Sequence, residues 1–280
     1  MITRKIPHFD LAQIAASGQC FRMEQDAEGC FWVPAGETAI RIRQQGDICS
    51  FDCSEEDFRD FWESYFDLTS DYQVFLDQID PQDTYLGAAS RYGGGIRILR
   101  QQLWETIVSF LISQQNNIRR IRRCIDNICS LYGEEKTDRS GRSYHTFPRP
   151  EALAGLAEDQ LMACNLGYRS KYVVRAARSV VSGDFDLART ASLAYPEARE
   201  ALMGLYGVGG KVADCICLMS LHHLEAFPVD THIRQALERH YKAGFPSDRY
   251  RGFQGVLQQY IFYYELLGSQ AAKDNAPLAF

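Results

Sequence analysis

Leu205 to Asp230 reads LYGVGGKVADCICLMSLHHLEAFPVD, and this stretch decides the fold. It opens on a glycine-rich turn, Gly207-Val208-Gly209-Gly210, continues with Lys211, and closes on Pro228-Val229-Asp230. Gly207 and Gly209 permit positive φ and close approach to the backbone. Val212 to Met219 is apolar on most sides, which predicts a buried helix. Upstream, Tyr195-Pro196 starts another helix, with proline in its tolerated first-turn place. Amides in such a turn, at a helix N-terminus, favour an anion.

The pattern LxGVGxK is the helix–hairpin–helix form that holds a DNA phosphate, although Gly-x-Gly by itself also fits a plain turn between helices. Lys211 sits at the positive end of its helix dipole, the unfavourable end for a cation. Burial and dipole together predict a depressed pKa and a fraction of neutral amine. A neutral amine is a nucleophile that can form a Schiff base. The alternative is a lysine that only bonds a phosphate or solvent. Asp230 precedes Thr231-His232-Ile233 and fits an N-cap. A capped carboxylate can also stay ionised and stabilise a developing sugar cation, as in glycoside cleavage.

Composition sets few limits. At 280 residues, with 46% hydrophobic and 24% charged content, the chain has room for one large domain or two to three small ones. It holds no run of about 18 apolar residues, so no membrane span is expected, and Met1 to Pro7 lacks the apolar core of a signal peptide. Nine cysteines without a CxxC cluster predict reduced, buried thiols, no metal site and no cofactor. A net charge of −6 argues mildly against nucleic acid, but placement of basic residues matters more than their sum.

Along residues 1–85 the pattern is mixed. Asp10 caps a short helix, Ser17-Gly18-Gln19 is a turn, and Cys20–Met23, Cys30–Val33, Ala39–Arg43 and Ile48–Phe51 read as strands of a small antiparallel sheet. From Ser54 the pattern turns helical. Leu103, Ile107, Phe110 and Leu111 define one helix face; Ser113 to Asn117 is a break. The next helix carries Ile118, Ile121, Ile125, Ile128 and Leu131 on one face and Arg119, Arg120, Arg122 and Arg123 on the other. Glu134 to Tyr144 reads as a polar loop. Helices are expected near 151–155, 158–164, 169–181, 188–194, 196–205, 211–222, 231–241 and 251–266, with Ala271 to Phe280 frayed.

Taken together, LYGVGGKVADCICLMSL and PVDTHI resemble the helix–hairpin–helix, Gly/Pro…Asp superfamily of base-excision DNA glycosylases, and within it the 8-oxoguanine DNA glycosylase family. Ser17 to Arg22 resembles that family's SGQxFR motif, Phe110 to Ile121 its Asn-rich helix junction, and Leu166-Gly167-Tyr168-Arg169 its LGYR segment; Tyr144 to Pro148 matches as well. The resemblance covers most of the chain, in order. It implies that Lys211 attacks C1′ of the damaged nucleotide, that Asp230 stabilises the transition state, and that Gly207, Gly209 and His232 hold phosphate. It further implies a base pocket in which the Gly18 carbonyl accepts a hydrogen from the lesion, Cys215 and Phe262 sandwich the base, and Gln258 reads its Watson–Crick edge. Arg120, Tyr168 and Arg169 match positions that hold the orphaned cytosine and wedge the duplex. The family commonly has asparagine where this chain has Gln115.

From residues alone, Phe262 fits a core position, His232 a surface one, and Arg119 to Arg123 a solvated face. The expectation is therefore an α+β protein: a small N-terminal antiparallel sheet domain over 1–95 and a mainly α-helical helix–hairpin–helix domain over 96–280. The expected activity is a bifunctional DNA glycosylase/lyase for 8-oxoguanine opposite cytosine in double-stranded DNA. The expected enzyme is a monomer, cytoplasmic at a bacterial nucleoid or nuclear in a eukaryote. Rival readings are a glycosylase of the same superfamily for another damaged base, a non-catalytic DNA-binding module, and a structural helical scaffold.

Overall fold

A computed structural model describes residues 1–268; the expectation for Ala271 to Phe280 lies outside them. The N-terminal part is a five-stranded antiparallel sheet. Its strands are β1 (Ile2–Lys5), β2 (Glu24–Gln25), β3 (Phe31–Ala35), β4 (Thr38–Gln45) and β5 (Ile48–Phe51), in the order β1-β5-β4-β3-β2. In β4, buried Ile40 and Ile42 alternate with Arg41 and Arg43, so one face enters the core. Two-residue hairpins join β3 to β4 and β4 to β5, beginning at Gly36 (φ +55°) and Gly46 (φ +58°).

Two features of this sheet differ from the expectation. The N-terminal residues form β1, paired along β5 from Ile2–Phe51 to Lys5–Ile48. Cys20 to Met23 forms no strand. All four side chains are buried: Cys20 and Met23 enter the sheet core, whereas Phe21 packs into the helical core. Strand β2 pairs with β3 only after this stretch has passed.

The rest is helical. Helices Leu103–Ser113 and Ile118–Tyr132 flank the polar break, and Asn117 caps the second by accepting from Arg120 N at 3.0 Å. Ile121, Ile125 and Ile128 are buried as expected; Leu131, in the last turn, is exposed. The segment 158–164 is a 3-10 turn, Gln160–Cys164, rather than an α-helix. The polar loop contains a short hairpin, β6 (Glu135–Thr137) and β7 (Ser143–His145), anchored by Trp32 Nε1 donating to Asp138 at 3.0 Å. All nine cysteines are free and buried. Among the described residues no helix is long and apolar enough to cross a membrane.

The extended segment 96–101 laces the two parts together. Buried Arg97 donates to the carbonyls of Pro7, His8, Asp67 and Ser70. Gln19 bonds Arg97 O and Leu99 N, at 2.9 Å each, and Gln101 donates to Gln19 O at 2.7 Å. Gln101 N donates to Met219 O, and Ser220 donates back to Gln101 O. The Ser17-Gly18-Gln19 turn is thereby fixed against the end of helix Gly210–Met219, about 200 residues away in sequence.

Candidate active site

Helices Tyr195–Met203 and Gly210–Met219 form the hairpin. Asp214 holds them in register, accepting from Arg199 Nε at 2.6 Å and Tyr195 Oη at 2.8 Å. Gly207 has φ +91°, and a Cβ there would meet the Tyr172 ring at 2.7 Å, so both conformation and space demand glycine. Gly209 differs from the expectation. Its φ is −95°, open to any residue, and a Cβ would meet nothing within 4 Å. As the N-cap of the lysine helix without a side-chain cap bond, it leaves that helix's first amides facing open space.

Lys211 and Asp230 stand where two spaces join. On one side is a small cavity, about 50 Å³, also lined by Gly18, Phe110, Cys215, Gln258, Gln259 and Phe262. On the other is an open groove of about 620 Å³ that also takes in Gln115, Gly209, His232 and Arg234. Asp230 caps helix Thr231–His240, accepting from Ile233 N at 2.8 Å, so its carboxylate is fixed by the fold. Gln258 is buried and donates to Pro228 O at 3.0 Å. His232 stands edge-on to Phe262, ring centres 6.0 Å apart.

The expected wedge residues lie beyond the groove. Tyr168 is half-exposed and packs edge-on against Tyr172. Arg120 is exposed and donates to Asn165 O at 3.3 Å. Arg169 is buried, and in the free protein its donors are already engaged: Nε bonds Gln114 O at 2.7 Å, and Nη2 bonds both Gln114 O and Gln115 O. It holds the backbone of the polar break, where Gln115 adopts φ +48°, a left-handed conformation uncommon for glutamine. Of the arginine row on helix Ile118–Tyr132, Arg122 is not simply solvated, because it donates to Ala15 O at 3.0 Å, beside the Gly18 turn.

Comparison with known proteins bears directly on this arrangement. Residues 1–107 match the N-terminal domain of 8-oxoguanine DNA glycosylase, and residues 108–250 match the HhH-GPD superfamily of base excision DNA repair proteins. An N-glycosylase/DNA lyase from Saccharomyces cerevisiae is 34% identical over 262 residues, 83% of this chain and 68% of that relative. The chain belongs to the 8-oxoguanine DNA glycosylase family of HhH-GPD repair proteins. A probable N-glycosylase/DNA lyase from Methanothermobacter thermautotrophicus is 30% identical over 82% of this glycosylase and 81% of its own length. The solved 8-oxoguanine glycosylase/lyase of Clostridium acetobutylicum, in complex with double-stranded DNA containing cytosine opposite the lesion, superposes with a TM-score of 0.88. It is 33% identical over 94% of this chain and 93% of that one.

In this glycosylase the electrostatics of Lys211 correct the expectation. Attraction to the Cys215 sulfur, one helical turn on, holds the ammonium above its ordinary range; burial opposes this, and a hydrogen bond to Cys215 and the charge of Asp230 reinforce it. Burial in turn pushes the Cys215 thiol up. The direction favours the ammonium form, whose proton must leave before attack. Lys211 Nζ also lies 5.6 Å from the centre of the Phe110 ring, a cation–π contact that favours the charged form. Phe110 and Gln259 complete the cavity, although neither carries a sequence signal for this role. Phe110 reads as one position of a helix face, and Gln259 as the neighbour of Gln258.

Proposed function

We infer that this chain is a bifunctional DNA glycosylase/AP lyase that removes 8-oxoguanine, opposite cytosine, from duplex DNA through a Schiff base on Lys211. The observation that carries the reading is the position of Lys211 and Asp230, which line both a small cavity and a much larger groove. A flipped nucleotide has its base in a pocket and its backbone outside, so its glycosidic bond lies between two such spaces. Deprotonated Lys211 attacks C1′; the C1′–N9 bond breaks, and its electron pair leaves with the base. Opening of the sugar ring gives the Schiff base, from which β-elimination expels the 3′ phosphate. Asp230, held by its cap bond, stabilises positive charge on the sugar and assists removal of the lysine proton.

Selection of the lesion rests on the Gly18 carbonyl. Guanine N7 is an acceptor, whereas the oxidised base carries a hydrogen there. A carbonyl accepts from the lesion and repels the normal base. Cys215 and Phe262 supply the two faces, and Gln258 the Watson–Crick contact. Outside the pocket, Gly207, Gly209 and His232 serve the phosphates, whereas Gln115, Arg120, Tyr168 and Arg169 serve the opposite base and the wedge. The cavity of about 50 Å³ has room for a water or two, at about 30 Å³ of liquid volume each, so entry of a purine requires it to widen. The glycosylase is read as a monomer acting wherever the DNA is kept: the bacterial nucleoid in the cytoplasm, or a nucleus. We retain 1–95 and 96–280 as its two domains, with the lacing segment 96–101 at their junction.

The test is to incubate the protein with a duplex containing 8-oxoguanine opposite cytosine and add borohydride. A covalent protein–DNA adduct is expected, lost in Lys211→Gln. Absence of both adduct and base release from the wild type would sink the reading.

A further inference from the structure

Gln259 lies in helix Gln254–Tyr263 beside Gln258 and is 2% exposed. It lines the small cavity. Its Nε2 donates to Gln258 Oε1 at 3.0 Å, and Gln258 Nε2 donates to Pro228 O at 3.0 Å. The direction of this chain is set from its far end. A carbonyl only accepts, so Gln258 must turn its Nε2 to Pro228 and its Oε1 to Gln259. Gln259 must then meet that oxygen with its own Nε2, which leaves its Oε1 over. That oxygen has no partner among the described residues. A buried amide oxygen without a donor is costly, and native structures rarely keep one without a use.

We propose that Gln259 Oε1 reads the 2-amino group of the flipped base while Gln258 Oε1 takes its N1–H. The proposal rests on the glycosylase reading above and deepens it. Two acceptors side by side match the Watson–Crick edge of a guanine-type base, where N1–H and the 2-amino group are adjacent donors. An adenine-type edge puts an acceptor at N1 and no amine at C2, so it meets the same pair with repulsion and an unpaired oxygen. The Gly18 carbonyl tests for oxidation; the glutamine pair tests for guanine. Both glutamine side chains are buried and fixed in series from Pro228, so the reader is preorganised.

The experiment compares single-turnover excision of 8-oxoguanine and of 8-oxohypoxanthine, the same base without its 2-amino group, each opposite cytosine. The wild type is expected to favour 8-oxoguanine by about tenfold, the size of one hydrogen bond to a buried acceptor. In Gln259→Met, which keeps the volume and removes the acceptor, that preference is expected to collapse through loss on 8-oxoguanine alone. Gln259→Ala is the second variant, and borohydride trapping to a preformed abasic site, where no base is read, is the fold control for both. Equal excision of the two bases by the wild type overturns the proposal. So does a variant that loses equally on both, which marks a packing role, or that loses on neither. A wild type that releases no 8-oxoguanine at all overturns the glycosylase reading instead.

Discussion

Gly18 and Phe262, 244 positions apart in the chain, are in contact across the cavity: a Cβ on Gly18 would lie 3.2 Å from the Phe262 ring. Gly18 also has φ +74°. Gly18→Ala therefore meets backbone strain and a ring that must yield. We expect roughly 1–2 kcal/mol of lost stability from the left-handed conformation. Misplacement of the Gly18 carbonyl is expected to cost on the order of 100-fold in 8-oxoguanine excision. Thermal melting and single-turnover excision check the two separately, and wild-type excision in the variant would show that this carbonyl reads nothing.

The two hairpin glycines should separate folding from binding. Gly207→Ala forces a methyl to within 2.7 Å of the Tyr172 ring, and a loss of about 1–3 kcal/mol by overpacking is expected. Gly209→Ala has open space and an ordinary φ, so stability should fall by less than about 1 kcal/mol, the range of cap substitutions. Its methyl nevertheless projects where a phosphate would approach. Melting curves paired with titrations of abasic-site duplex, at fixed salt, should show Gly209→Ala weakened in DNA affinity at near-parental stability. Unchanged affinity would place the phosphate elsewhere.

Cys215 sets the pH at which Lys211 becomes a nucleophile. The pair raises the lysine pKa, so the neutral amine grows in only as pH rises. Cys215→Ala removes the largest cause of that rise and leaves burial to pull the pKa down. The rising limb of the rate–pH profile should move to lower pH. Borohydride trapping to a preformed abasic site is the right measurement, because no base is present for Cys215 to stack on. A limb that stays in place or moves to higher pH would contradict the assigned cause.

Arg169 and Gln115 make a connected prediction about the opposite base. Arg169 restrains the carbonyls of Gln114 and Gln115. Arg169→Ala should loosen the loop that presents Gln115 to the groove and narrow the preference for cytosine over adenine by about tenfold, the equivalent of one to two polar contacts. Gln115→Asn should instead hold φ +48° with less strain, since asparagine enters the left-handed region more readily, and gain a few tenths of a kcal/mol or more in melting. Excision opposite each of the two bases tests the first, and calorimetry the second. An Arg169→Ala enzyme with undiminished cytosine preference would leave the arginine only a structural part.

The hairpin, its lysine, the capping aspartate and the helical character of residues beyond 100 were legible because each is local. A glycine turn, an N-cap and an apolar helix are written within a few residues of one another. The sheet was legible in its hairpins, whose turns need glycine at 36 and 46, but not in β1, which is a strand only because β5 lies beside it. Cys20 to Met23 had strand composition, but its side chains divide between two cores and it forms no strand. The sequence by itself thus determined the chain's family and its hairpin and set Lys211 at the start of the second hairpin helix, since these depend on short-range chemistry. The tertiary structure alone decided that Lys211 lines both a small cavity and a larger groove. It alone put Cys215 beside the amine, a contact that raises the lysine pKa against the opposing effect of burial, and turned Gln259 with a spare acceptor. Those outcomes depend on which distant groups share a low-dielectric space, where opposing effects of similar size are settled by position.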